Sequence, residues 1–315
     1  MKDKYSVVIP AYNSEKTISE LVIKLSDIFA YDNYEIIIVN DNSKDSTSSV
    51  CRQLAKQNEN IVFIDLSRNF GQHNAIIAGL NYVTGDYIIT MDDDLQNPPE
   101  EISKLISEIN QGYDVVYAKY GIKKHSKFRN LGSKVNDIMA QVMLNKPKDI
   151  YFTSFRIMKR YVVEEIIKYK GPYCYIDGLI LRTTRNLSSV EVKHDERITG
   201  KSNYNFSKLL KLWMNGFTSF SVLPLRIVTY SGFSFSITGF ILMIILLIKK
   251  FTTDVQLGWT SLMLCIIFFS GIQLISVGLL GEYMGRTFLS INNTPQFIVK
   301  EVISSHESYH KEEGC

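Results

Sequence analysis

The chain is short of cysteine and of net charge. Its four cysteines, Cys51, Cys174, Cys265 and Cys315, have no paired spacing, which excludes a zinc-ligand pattern and a disulfide framework and places the water-exposed part in a reducing compartment. The 35 Lys plus Arg offset 32 Asp plus Glu to a net +3, so composition makes no case for a nucleic-acid partner. With 45% hydrophobic and 21% charged residues, a disordered or collagen-like chain is excluded as well. The polar Met1 to Tyr5 runs straight into a strand-like segment, and no cleavable signal peptide is expected.

Charge is absent altogether from two stretches, Thr229 to Ile248 (20 residues) and Val255 to Gly281 (27 residues). Either is long enough to cross a hydrocarbon layer of about 30 Å as a helix; a pair of buried core helices is the other reading. Lys249 to Asp254 is too short for anything but a hairpin connection, so both ends would face one side. Ahead of these stretches, Phe206, Leu209, Leu210, Leu212, Trp213, Phe217 and Phe220 accompany Lys208 and Lys211. That mixture suits helices lying in a membrane interface, or else an ordinary amphipathic helix. The expected organisation is a catalytic domain over 1–204, interfacial helices over 205–228, a transmembrane hairpin over 229–281 with spans at about 229–248 and 257–280, and a cytoplasmic tail over 282–315.

Within the first 204 residues strands alternate with helices. Tyr5 to Ile9, Glu35 to Val39, Ile61 to Leu66, Tyr87 to Met91 and Asp114 to Lys119 read as strands; Ser14 to Phe29, Thr47 to Gln57, Gln72 to Tyr82 and Glu100 to Gln111 read as helices. This order predicts an α/β domain with parallel pairing and right-handed crossovers, whose ligands gather at the carboxyl ends of the strands. Polar clusters lie at two of those ends, Asn40 to Ser46 and Asp92 to Asp94.

Three adjacent carboxylates, Asp92-Asp93-Asp94, repel one another unless a cation or a set of donors neutralises them. Alternate residues of an extended segment face the same way, so Asp92 and Asp94 can share one Mg²⁺ or Mn²⁺ while Asp93 points elsewhere. A solvated acidic turn capping the next helix is the plainer alternative. Pro10-Ala11-Tyr12-Asn13 at the first strand end offers an aromatic ring and amides for a base, and Asn40-Asp41-Asn42-Ser43 at the second offers a carboxylate for a ring N–H. Together the three strand ends describe a nucleotide site.

The runs Val7 to Asn13, Ile38 to Ser43, Leu66 to Gly71, Asp92 to Glu100, Arg197 to Tyr204, Pro224 to Arg226 and Gly278 to Arg286 carry a resemblance. In order and spacing they resemble family 2 glycosyltransferases with the GT-A (Rossmann-like) fold, and within that family the polyprenyl-phosphate glycosyltransferases. The resemblance implies that Pro10, Tyr12, Val39 and Asp41 hold the nucleoside, with Asp41 reading uracil. It implies Asp92, Asp94 and Gln96 as metal ligands, Asp93 on the ribose side, Lys119 near a phosphate, Arg197 on the diphosphate or lipid phosphate, and Lys201 as its helper. Asp92, Asp94 and Arg197 would then be catalytic. Three positions depart from the pattern: Ser14 stands where many members have Glu, Asn203 replaces a common Lys, and Ser154 occupies a place where glucosyl-transferring members often carry an Asp proposed as base.

A missing base is tolerable on chemical grounds. A lipid monophosphate has a second pKa of about 6 and arrives largely ionised, so it needs orientation more than deprotonation. The expected function is therefore inverting transfer of a sugar from a nucleotide-sugar, with UDP as the carrier, to polyprenyl (undecaprenyl) phosphate, dependent on Mg²⁺ or Mn²⁺. The expected partners are that donor, that acceptor and membrane lipid, without nucleic acid, in a homo-oligomer that the resemblance implies to be a tetramer. The expected location is a bacterial cytoplasmic membrane, with the catalytic domain on the cytoplasmic side where nucleotide-sugars are made. The competing readings are transfer to a glycan or protein acceptor, and a degenerate membrane protein that only binds nucleotide. Neither uncharged stretch holds the ionisable residue that an ion pathway would need.

Overall fold

The computed structural model describes residues 3–30, 32–120, 146–147, 149–171, 174–193, 223–252, 258–292 and 294–304. The chain divides into two compact units: Met1–Tyr204 with Asn293–Cys315, and Asn205–Asn292.

The first unit is built on one eight-stranded sheet with the order β7-β5-β6-β4-β1-β2-β3-β8. Its centre is parallel: β1 (Lys4–Ala11) lies between β2 (Asn33–Asn40) and β4 (Tyr87–Thr90), and β3 (Ile61–Leu66) flanks β2. These strands are β-branched and aliphatic on both faces, as a sheet covered on both sides requires. Helices α1 (Ile18–Ile28), α2 (Thr47–Gln57) and α4 (Ile102–Ile109) cover one face, burying Leu21, Leu25, Cys51, Ala55, Leu105 and Ile109 against Val7, Ile9, Ile36, Ile38, Phe63 and Ile89. Each fully buried aliphatic side chain contributes about 1.5–3 kcal/mol relative to exposure. Helix α3 (Gln72–Leu80) covers the other face. It approaches so closely that a Cβ at Gly79 would sit 2.5 Å from Val8 Cγ1 and 3.0 Å from Val39 Cγ2.

The remaining strands depart from the purely parallel expectation. Strand β6 (Arg156–Lys159) inserts antiparallel between β4 and β5 (Val115–Tyr120), while β7 (Leu187–Val192) runs parallel to β5. Helices α5 (Arg160–Ile166) and α6 (Ile176–Thr183) lie between β6 and β7 in sequence. The segment 282–315, expected as a tail, is corrected in part. Its residues Val299–Ile303 form β8, which pairs antiparallel with β3, and Arg52 on α2 is ion-paired to Glu301 at 2.6 Å.

The second unit consists of α7 (Leu223–Thr252) and α8 (Trp259–Ile291), both longer than the spans expected at 229–248 and 257–280. The edge of Phe235 meets Phe268 and Phe269, with ring centroids 6.2 Å apart in each case. Many described side chains here are apolar and exposed, among them Phe233, Phe240, Leu274 and Ile275. Among the described residues no helix is long and apolar enough to cross a membrane, so the expected transmembrane hairpin is not confirmed. The expected interfacial segment 205–222 lies outside the described residues.

Candidate active site

The carboxyl ends of β1, β2 and β4 meet in a laced set of loops. Pro10 and Val39 are register partners near the carboxyl end of the β1–β2 ladder and are buried. Beyond them the chain turns through Asn13 (φ 56°) and Asn42 (φ 54°), a residue type that, after glycine, accepts this left-handed conformation at low cost. The two turns hold each other: Asn13 N–H donates to Ser43 Oγ at 3.0 Å, Lys44 N–H to Asn13 Oδ1 at 2.9 Å, and Ser14 N–H to Thr47 Oγ1 at 2.7 Å. Tyr12 projects from this frame with 46% of its surface exposed, free to stack on a planar ligand.

Asp41 is only 4% exposed and is already engaged. Its Oδ1 accepts from Phe70 N–H at 2.7 Å and its Oδ2 from Gly71 N–H at 2.8 Å. Burial raises its pKa while these two amides pull it down. The geometry thus makes Asp41 an anchor of the β3–α3 loop, and a carboxylate with one donor on each oxygen keeps acceptor sites for the ring N–H that the sequence resemblance gives it to read.

The three aspartates after β4 take different tasks. Asp93 turns back toward β1: its Oδ2 accepts from Tyr12 N–H at 3.1 Å and from Ser14 Oγ. Burial raises its pKa, Asp94 adds to the rise, and the Ser14 and Tyr12 donors oppose it. Asp92 accepts from Gln72 Nε2 at 2.6 Å on Oδ1 and from Ser154 Oγ at 2.5 Å on Oδ2. Its pKa is pushed up to about 6, first by burial and then by the charges of Asp94 and Asp93, against the Ser154 hydrogen bond and the Arg156 charge. Asp94 Oδ1 accepts from Gln96 N–H at 3.2 Å. Between them Leu95 is buried with φ 58°, a conformation that costs a residue with a Cβ about 1–3 kcal/mol and marks functional turns.

Asp92, Asp94 and Gln96 line one cavity of about 250 Å³ together with Asn97, Tyr120, Tyr151, Phe152, Thr153 and Ser154. Tyr120 is fixed there by its hydroxyl, which donates to Asn97 Oδ1 at 2.7 Å. Lys119 does not reach the cavity. Alternation along β5 puts it on the face opposite Tyr120, exposed and level with Glu191 of β7. Arg197 and Lys201 lie outside the described residues.

No group of three or more His, Cys, Asp or Glu side chains among the described residues is placed to hold a metal ion. The donors present still fit a hard cation of the Mg²⁺ or Mn²⁺ kind, which takes one or two carboxylates and completes its shell with water and substrate phosphates. Two carboxylates and an amide facing one cavity are such a set.

Behind the site, buried Arg156 is ion-paired with Asp177, which also accepts from Tyr117 Oη at 3.1 Å. His73 stands against Tyr175 with ring centroids 5.5 Å apart, and burial lowers its pKa. Sequence reading missed the aromatic wall of Tyr120, Tyr151 and Phe152, although the Tyr-Phe pair beside Ser154 was a legible sign of it. Gln72 enters that reading as the first residue of an expected helix.

Comparison with known proteins adds four findings. Residues 6–167 match the family model "Glycosyl transferase family 2". The chain is 37% identical over 305 residues to an uncharacterized glycosyltransferase, YkcC, of Bacillus subtilis (95% of this chain, 94% of that protein). It is 34% identical over 316 residues to the undecaprenyl-phosphate 4-deoxy-4-formamido-L-arabinose transferase of Photorhabdus laumondii (98% and 97%). Among solved structures, glucosyl-3-phosphoglycerate synthase from Mycobacterium tuberculosis, in complex with Mn²⁺, uridine diphosphate and phosphoglyceric acid, shares the fold. It has a TM-score of 0.51 at 16% identity, covering 67% of this chain and 75% of that one.

Proposed function

The chain belongs to glycosyl transferase family 2, and from that premise we propose that it moves a monosaccharide from a UDP-sugar to polyprenyl phosphate at a membrane surface. That it is a glycosyltransferase of GT-A type follows from the family match and the shared fold. The acceptor is proposed from near-full-length similarity to an undecaprenyl-phosphate transferase. The observation that carries the reading is the convergence of Asp92, Asp94 and Gln96 on one cavity at the carboxyl end of β4.

In this reading Tyr12 stacks on the nucleobase beside Pro10 and Val39, and Asp41 keeps the β3–α3 loop in place beside it. Asp93 ties the Tyr12 loop to the acidic cluster. Asp92, Asp94 and Gln96 would hold Mg²⁺ or Mn²⁺, which when bound supplies charge neutralisation for the departing diphosphate. Arg197, with Lys201, is assigned to the diphosphate or the lipid phosphate from the sequence motif alone. A phosphate oxygen of the acceptor attacks the anomeric carbon, the bond from that carbon to the nucleoside diphosphate breaks, and configuration inverts. Ser154 is committed as a donor to Asp92 and does not serve as a base. An acceptor whose second pKa is about 6 needs none.

The α7–α8 pair is proposed as the membrane anchor. Support comes from the uncharged runs Thr229 to Ile248 and Val255 to Gly281, which include positions beyond those described, and from the exposed apolar side chains on both helices. Nucleotide-sugars are cytoplasmic, so the catalytic unit is placed on that side.

The test is incubation of purified protein with labelled UDP-sugars and undecaprenyl phosphate, followed by organic extraction. Lipid-soluble label that disappears in EDTA is expected. Absence of label with every donor refutes the acceptor, and undiminished label in EDTA refutes the metal.

A further inference from the structure

Both carboxylate oxygens of Asp92 are held by neutral side chains, and each holder is itself fixed. Gln72 opens α3 directly after Gly71, whose backbone takes φ 87° and whose N–H is bound by Asp41 at 2.8 Å. Ser154 has its carbonyl gripped by Thr90 Oγ1 at 2.6 Å. That hydroxyl accepts in turn from Arg156 Nε at 3.2 Å, and Arg156 is 1% exposed and ion-paired with Asp177. One strut thus runs from the end of β2 through Asp41, Gly71 and Gln72 to Asp92 Oδ1. The other runs from the α6 N-terminus through Asp177, Arg156, Thr90 and Ser154 to Asp92 Oδ2.

We propose that Gln72 and Ser154 are positioning residues that fix the Asp92 carboxylate for a divalent cation shared with Asp94. The proposal rests on the metal reading given above. A carboxylate accepts at about four lone-pair sites, and two donors on opposite oxygens leave two for a cation while stopping rotation about the side-chain bonds. Neutral donors suit this task, since an ammonium or guanidinium in the same place would compete with the metal for the charge. The arrangement also explains why Ser154 is compatible with this cluster. An Asp there would set a further carboxylate against Asp92 and repel it unless a proton or second cation intervened.

The test measures binding of Mn²⁺, alone and with UDP, to the purified full-length protein by the loss of the free-ion electron paramagnetic resonance signal. Wild type, Ser154→Ala, Ser154→Thr, Gln72→Ala and Asp92→Asn are compared, each checked by thermal melting. Partners that orient a metal ligand are worth about 10- to 100-fold in metal affinity. Ser154→Ala and Gln72→Ala should each weaken Mn²⁺ binding by about tenfold or more, Ser154→Thr should restore it, and saturating Mn²⁺ should recover kcat in both alanine variants. Gln72 is exposed, so its alanine variant leaves the packed core unchanged and the melts separate folding from metal binding. Wild-type Mn²⁺ affinity in both alanine variants, with Asp92→Asn impaired, overturns the struts and leaves the metal reading standing. Failure of the wild type itself to take up Mn²⁺ overturns both.

Discussion

Replacing Ser14 tests whether the middle aspartate organises the nucleotide loop. Ser14 is 7% exposed, and its hydroxyl donates to Asp93, which also binds Tyr12 N–H at 3.1 Å. Ser14→Ala removes the hydrogen bond to a charged acceptor, a loss of about 1.5–3 kcal/mol, or roughly 10- to 150-fold if all of it reaches ligand binding, together with the 3.2 Å bond that Ser14 Oγ accepts from Tyr12 N–H. Ser14→Glu loses the same bond and sets a second carboxylate against Asp93. Two unit charges 4 Å apart repel by about 4 kcal/mol at an effective dielectric constant of 20, so the loop carrying Tyr12 must move. Titration calorimetry with UDP at fixed Mn²⁺, with urea melts in parallel, should show a moderate loss for Ser14→Ala and a loss of more than about a hundredfold for Ser14→Glu. Adding Asp93→Ser to Ser14→Glu removes the repulsion and should recover most of the binding. Unchanged affinity in Ser14→Glu, or no recovery in the double variant, would refute the reasoning.

Other outcomes can be stated. Gly79→Ala places a methyl 2.5 Å from Val8 Cγ1 and should lower stability by about 1–3 kcal/mol, read as an earlier urea midpoint. An unchanged midpoint would mean that α3 can lift off the sheet freely. Arg156→Met strands the buried carboxylate of Asp177 and should cost about 3–5 kcal/mol, while adding Asp177→Leu should return much of it; equal stability of the two variants would contradict this. At Asp114 burial raises the pKa, but hydrogen bonds from Tyr161 and Thr184 and the Lys159 ammonium outweigh it, for a net lowering. A lowered folded pKa gives stability present above the ordinary carboxylate pKa and lost as pH falls through the folded one. The stability gap between wild type and Asp114→Asn should therefore close on acidification from pH 6 to below 4; a constant gap would count against it.

Local pattern carried the centre of the sheet and failed at its edges. Strands β1 to β5 were legible because each is a run of aliphatic or aromatic residues ended by a polar turn, with an amphipathic helix between. Strand β6, Arg156 to Lys159, begins and ends on basic residues, and its burial depends on Asp177, 21 positions away. Strand β8 follows a long apolar helix and reads as the start of a polar tail, since its partner β3 lies more than 200 residues upstream. The acidic cluster was legible as a site from charge repulsion alone. The division of labour within it was not. The amides that occupy Asp41, the hydroxyl that meets Asp93 and the two donors on Asp92 all come from elsewhere in the chain, and only the folded register brings them together.

Strand β8 also bears on how this protein can be cut. A chain stopped at Tyr204, the obvious boundary for a soluble fragment, would lack β8 and bare the hydrogen-bonding edge of β3. Such an edge invites pairing with another molecule, and the fragment should associate through it however well its own core is packed. Removing Asn205–Asn292 and bridging the gap with a flexible linker would instead keep the closing strand in the same polypeptide. The helical pair is thus an insertion between two segments of one sheet, and the last strand of that sheet is made only after both long helices have left the ribosome.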